Sequence, residues 1–139
     1  MSTTERNKAV VKDFIDELFS KGDLGAVDTY LAEDFVAHSP PGFGATPDRE
    51  GFRHAGTVIR AAFPDWHSEL HELIAEDDLV VERFTASGTH RGELMGVPPT
   101  QRRTVTRGCT VAEVKHGKLT HSWVYWDTGH LLKQLGVLP

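Results

Sequence analysis

Eight histidines and one cysteine stand among the 139 residues, and their positions decide what chemistry each could do. His38 and His90 each fall at the end of a run that reads as β-strand. Imidazole titrates near neutral pH, so either could exchange a proton with a bound molecule. A histidine that anchors a loop by hydrogen bonds would look identical in sequence. Asp127 opens the last helical run, where a carboxylate can act as a general base or accept backbone N–H bonds as a cap. His67, Glu69 and His71 are spaced by two and share one face of a strand. Two imidazoles and a carboxylate can hold a metal. The spacing is not the His-Glu-x-x-His helical motif, however, and a solvated polar stripe is the preferred reading, with no metal site. His54, His116 and His130 read as surface positions. Cys109 is alone, forms no staple, and lacks an identifiable basic partner, so it reads as a small strand residue.

The elements that must position these groups follow from periodicity. Val10, Val11, Phe14, Ile15, Leu18 and Phe19 make one apolar stripe of a first helix, with Ser2 and Glu5 at capping-box spacing and Gly22 as its stop. A short second helix follows Asp23, with Leu24, Val27 and Leu31 on one face. Phe35–His38 reads as a brief strand before a Pro40-Pro41-Gly42 break. Thr46-Pro47 reads as the start of a third amphipathic helix carrying Phe52, Ala55, Ile59, Ala62 and Phe63. The period then changes to about two over 66–75, 79–89, 102–114 and 119–126, giving four strands joined by tight turns. Asp127 to Leu135 closes the chain as a short helix.

Helices first and strands afterwards make an α+β order. Burying three helical stripes on one sheet predicts a cone: a curved, mostly antiparallel sheet wrapped around three N-terminal helices, with a pocket between the layers. Trp123, Tyr125 and Trp126 read as core or as a homodimer contact through the sheet. The length fits one domain, residues 1–139. A net charge of −5 provides no basic footprint for nucleic acid. No apolar run reaches the ~20 residues of a membrane span, and the polar N-terminus has no secretory h-region. A cytoplasmic location is the expectation.

The loop GTHRGELMGVPPT, Gly88 to Thr100, has three glycines and a proline pair between two strands, which is specific turn chemistry. With GKLTHSWVYWDTGHLLKQLG at the end and DFVAHSP around His38, it resembles the SnoaL-like polyketide cyclase family of the nuclear-transport-factor-2-like superfamily. The resemblance covers nearly the whole chain and implies the same cone. It also implies cofactor-free acid/base chemistry on a small apolar carbonyl compound: a base removes a proton beside a carbonyl, and donors stabilise the enolate.

The family's catalytic set does not carry over. Its aspartate place is Val124 and the histidine before it is Ser122; its glutamine and histidine places are Gly108 and Thr110. An asparagine near the end of the first strand becomes Ala37.

In the register implied by the resemblance, Phe19, Thr110, Ser122, Val124 and Trp126 line the pocket for a small hydrophobic molecule, and His38, His90 and Asp127 are the candidate proton carriers. A shift by one residue instead turns Arg107, His121 and Tyr125 inward. Three functions remain open: an enzyme of cyclase or isomerase type, a non-catalytic binder or cofactor-independent hydroxylase relative, and a dimerising module.

Overall fold

The computed structural model describes residues 1–39 and 42–138. The Pro40-Pro41 part of the expected break lies outside them. The chain forms α1 (Thr3–Ile15), a π-helical turn (Asp16–Ser20), α2 (Ala26–Tyr30), β1 (Leu31–Ser39), α3 (Arg49–Ala62), β2 (His67–Glu76), β3 (Leu79–Thr89), β4 (Arg103–Lys115), β5 (Lys118–Trp126) and α4 (Thr128–Gln134).

α1, α3 and α4 start where a side chain accepts a free N–H group of the first turn. Ser2 accepts from the Glu5 N–H, as its spacing implies. Asp48, rather than Thr46, accepts from the Gly51 N–H, so α3 begins two residues after the expected proline. The carbonyl of Thr46 lies 1.8 Å from where a Cβ on residue 51 would sit, which only glycine permits. The first helix does not run uniformly to Gly22, because its last turn widens into the π-helical segment.

The five strands form one open sheet in the order β1-β5-β4-β3-β2. β2–β3, β3–β4 and β4–β5 are antiparallel hairpin neighbours, while β1 pairs parallel to β5. β1 is longer than expected because Leu31, Val27's partner in the helical stripe, already belongs to the strand and is fully buried there.

The register question resolves in favour of the register implied by the resemblance, with Ser122, Val124 and Trp126 facing inward. Ser122 is 1% exposed and Val124 packs on the core, whereas Tyr125 is 55% exposed. The inner face of β3 carries Val80, Glu82, Phe84 and Ala86, and that of β4 carries Thr104, Thr106, Thr110, Ala112 and Val114. A bulge between Glu113 and Val114 keeps this alternation aligned with β5.

Two apolar clusters fill the space under the helices. One joins Val11, Phe14, Leu18, Phe35 and Phe52 to Val80, Ala112 and Leu119. The other joins Ile59, Phe63, Trp66, Phe84, Leu94, Leu131 and Leu135. Fully burying a side chain of this size stabilises by about 1.5–3 kcal/mol. No helix among the described residues is long and apolar enough to cross a membrane.

Candidate functional site

Between the two clusters lies an apolar cleft walled by Phe19, Phe52, Trp66, Phe84, Val124 and Trp126, with Ile15 and Ser68 at one side. Its volume, about 40 Å³, holds only a few waters at roughly 10–15 Å³ each. Trp126 meets Trp66 edge-on at 6.2 Å and Phe43 edge-on at 5.3 Å. An aromatic ligand would enter by displacing one of these rings.

Phe19 reaches the cleft from the π-helical turn, and that turn is held from outside. Arg60 on α3 donates to the carbonyls of Phe19 at 3.2 Å and Ser20 at 2.7 Å, and to that of Pro64 at 2.8 Å. The Ser68 N–H donates to the Ser20 hydroxyl at 3.1 Å. π-Helical turns are uncommon and often mark functional segments; here the widened turn aims an aromatic ring at the cleft.

Ile15 and Ser68 are shared with a second, polar cleft whose wall includes Lys12, Asp16, His67, Glu69 and Glu82. Glu82 is the unusual member. It occupies an inward position of β3, is 1% exposed, and its Oε2 has no hydrogen-bond partner among the described residues. Burial pushes its carboxyl up from 4.5 to about 7, because an ionised carboxylate loses more solvation than a neutral acid on leaving water. Glu82 pairs across the sheet with Thr110, and Thr110 pairs with Val124. Directly opposite positions place Cβ atoms about 5 Å apart, so carboxyl, hydroxyl and cleft wall stand side by side. The hydroxyls of Ser122 and Thr106, also on the inner face, have no partner among the described residues.

Of the expected pocket residues, Phe19, Val124 and Trp126 line the apolar cleft. Thr110 and Ser122 are buried on the same face, 3% and 1% exposed.

The expected proton carriers lie elsewhere. Asp127 accepts the His130 N–H at 2.8 Å and caps α4. His90 is fully buried, but it does not border either cleft. Its Nδ1 accepts from the Thr100 N–H at 3.2 Å and lies 3.0 Å from the Thr100 hydroxyl. Its backbone bonds to Arg102 and Gln101, and its ring lies against Phe63. Nδ1 is therefore unprotonated, and burial holds the imidazole below its ordinary pKa. This is loop-anchoring geometry.

His38 is exposed on the sheet face turned away from the helices, where its Nε2 lies 2.9 Å from His121 Nδ1 and its ring stacks on Trp123 at 4.7 Å. His67, Glu69 and His71 are all exposed on one side of β2, as a solvated polar stripe would be, and His71 bonds to Thr85 at 2.6 Å. No group of three potential metal ligands occurs among the described residues.

Sequence reasoning missed Glu82. The signal was present, since period-two counting from Val80 through Phe84 and Ala86 puts a glutamate on the apolar side. The absent family glutamine also has a local reason. A Cβ at Gly108 would sit 2.5 Å from Phe84 Cζ and 2.9 Å from the Tyr125 carbonyl. The ring of Phe84 fills the space that a side chain at 108 would need.

The comparisons agree with this geometry. A family model described as SnoaL-like polyketide cyclase matches residues 9–135. A candidate polyketide cyclase from Acidithiobacillus ferrooxidans superposes with a TM-score of 0.85 at 28% identity, covering 100% of both chains. IdmH, a candidate polyketide cyclase from Streptomyces antibioticus, is 33% identical with a TM-score of 0.79, over 94% of this chain and 99% of its own. AclR, a candidate hydroxylase from Streptomyces galilaeus, is 28% identical with a TM-score of 0.83, over 99% and 89%. No curated protein matches the sequence. With the inward register, the aromatic cleft and a family match spanning nearly the whole length, the chain belongs to the SnoaL-like polyketide cyclase family.

Proposed function

We propose that the protein is a cofactor-free enzyme that moves a proton beside the carbonyl of a small apolar molecule, with Glu82 as the proton carrier. One observation carries this reading: a sealed carboxyl with an unpartnered oxygen, set beside an aromatic cleft that shares two wall residues with its own. A carboxyl near 7 is present in both forms at neutral pH, which suits it to accept and return a proton. In the forward step a C–H bond next to the carbonyl breaks and the proton moves to Glu82 as the enolate forms. Ser68, common to both walls, and the free hydroxyl of Ser122 are the candidate donors to the enolate oxygen. Return of the proton to carbon or oxygen completes an isomerisation, and attack of the enolate on a second carbonyl completes a cyclisation. His38, His90 and Asp127 are not needed for this cycle.

The test uses an aromatic β-diketone, 1-phenyl-1,3-butanedione, in deuterated water with exchange at the central carbon followed by NMR. Saturable exchange is expected, falling at least 100-fold in Glu82→Gln. Exchange that is unchanged in that variant removes Glu82 from the role. Binding of the diketone without enhanced exchange by the wild type would support instead a non-catalytic binder of hydrophobic molecules, a reading favoured by the almost wholly apolar cleft wall.

A further inference from the structure

On the opposite side of the sheet from the cleft, parallel pairing of β1 with β5 sets Val36 against His121 and Ala37 against Ser122. This register brings together two imidazoles that are 83 residues apart in the chain, with Nε2 of His38 2.9 Å from Nδ1 of His121. We propose that His38 and His121 form a site for a divalent transition-metal ion of tetragonal preference, copper(II) or nickel(II), with solvent completing the coordination.

The spacing, also that of an ordinary hydrogen bond, fits a tetragonal ion. With metal–nitrogen bonds of about 2.0–2.1 Å, two ligands at a right angle stand about 2.9 Å apart, whereas tetrahedral ligands stand about 3.3 Å apart. The pair is thus already at the separation of two adjacent positions in a square-planar or octahedral site, and a tetrahedral zinc ion would have to spread it. In the metal-free pair one ring donates its proton to the other. The ion replaces that shared proton, which leaves to solvent, and sits off the line between the nitrogens, so each ring must turn to point its lone pair at the metal.

The surroundings favour a cation. The ring of Trp123 lies almost parallel to that of His38, at 10°, and restrains it. Glu113 stands directly across from His121 on β4. Its carboxylate accepts from the Thr120 hydroxyl at 2.7 Å, with Lys115 3.7 Å away. A carboxylate therefore stands beside the pair. Lys115, the cation beside Glu113, is drawn to that carboxylate.

Trp123 also supplies the readout, because paramagnetic copper(II) quenches a nearby indole. Copper(II) chloride is titrated into the whole protein in a non-coordinating buffer at pH 7.5, following tryptophan emission and the nitrogen couplings of the copper electron-paramagnetic-resonance signal. One equivalent should bind at micromolar concentration with two-nitrogen couplings. Affinity should fall at least 10-fold in His38→Gln and in His121→Gln, a few-fold in Glu113→Gln, and most of the quenching should vanish in Trp123→Phe. Nickel(II) should bind more tightly than zinc(II). Because His38 is exposed, its variant should retain the wild-type unfolding midpoint, so loss of binding is separable from loss of fold. No saturable quenching below about 100 µM, or copper binding unchanged in the His38→Gln/His121→Gln double variant, would overturn the site.

Discussion

Glu82 within β3 and His90 just beyond its end are both sealed from solvent, yet they differ in what meets them. His90 has its Nδ1 filled by Thr100 and both backbone groups tied to the neighbouring loop, while its Nε2 has no partner among the described residues. Glu82 has an oxygen that nothing in the described protein meets. Each therefore carries one unpaired buried atom, which costs stability; what separates them is that His90 is otherwise tied into a loop whereas Glu82 lines a cleft. The difference also predicts opposite responses to pH. For Glu82 the native value of about 7 exceeds the ordinary 4.5. Between those values the folded protein keeps a proton that the unfolded chain has released, so stability falls as pH rises, by about 3 kcal/mol in all. For His90 the native value lies below 6.5. There the unfolded chain holds the extra proton, and stability falls as pH drops below about 6.5.

The contrast can be broken or sharpened by four changes, from the strongest effect to the weakest. Glu82→Gln should lower diketone exchange at least 100-fold while flattening the pH 4.5–7 slope of the urea midpoint. The wild-type profile of kcat/KM should show a base of apparent pKa near 7 that the variant lacks. A variant that loses activity yet keeps the slope would mean that the titrating group is another residue.

His90→Ala should cost about 2–4 kcal/mol, from the cavity and the lost Thr100 bonds, read as a lower urea midpoint. Exchange per folded molecule should remain within about two-fold of wild type. A 100-fold loss of exchange in the folded variant would instead return His90 to catalysis.

Gly108→Ala should cost about 1–3 kcal/mol by overpacking against Phe84. It should also weaken binding of an apolar fluorescent probe as the ring is pushed into the cleft. Unaltered melting would show that Phe84 can move aside freely.

Arg60→Ala should cost about 1 kcal/mol and weaken the probe a few-fold by loosening the turn that carries Phe19. Arg60→Lys should restore only part of it, since an ammonium cannot reproduce the guanidinium fork. Equal probe affinity in all three proteins would show that the turn holds itself.

Much of the fold was legible before the coordinates. The strand limits shift by no more than a few residues, because alternation over Val80–Ala86 and Thr104–Val114 is a strong signal for a sheet with one covered face. The inward set of β5, Ser122, Val124 and Trp126, could be anticipated from the register implied by the resemblance. The start of β1 was less legible, because Leu31 serves the helical spacing and the strand equally well. The bulge after Leu70 was not legible either.

The site was read less well for a physical reason. Histidines draw attention through their intrinsic pKa, whereas the pKa of Glu82 is made by its burial, and burial is known only once the strand has a covered face. His38 and His90 both sit where a strand ends, as expected, but sequence alone does not tell which side of the sheet a side chain occupies or whether a threonine ten residues on will hold it.

The close approach of residue 108 to the ring at 84 ties two positions on neighbouring strands into one volume. A long side chain at the first and a benzyl group at the second exclude each other, so their exchange is epistatic. Any attempt to rebuild a polar residue at 108 must shrink 84 in the same step, since either change alone leaves a collision or a hollow.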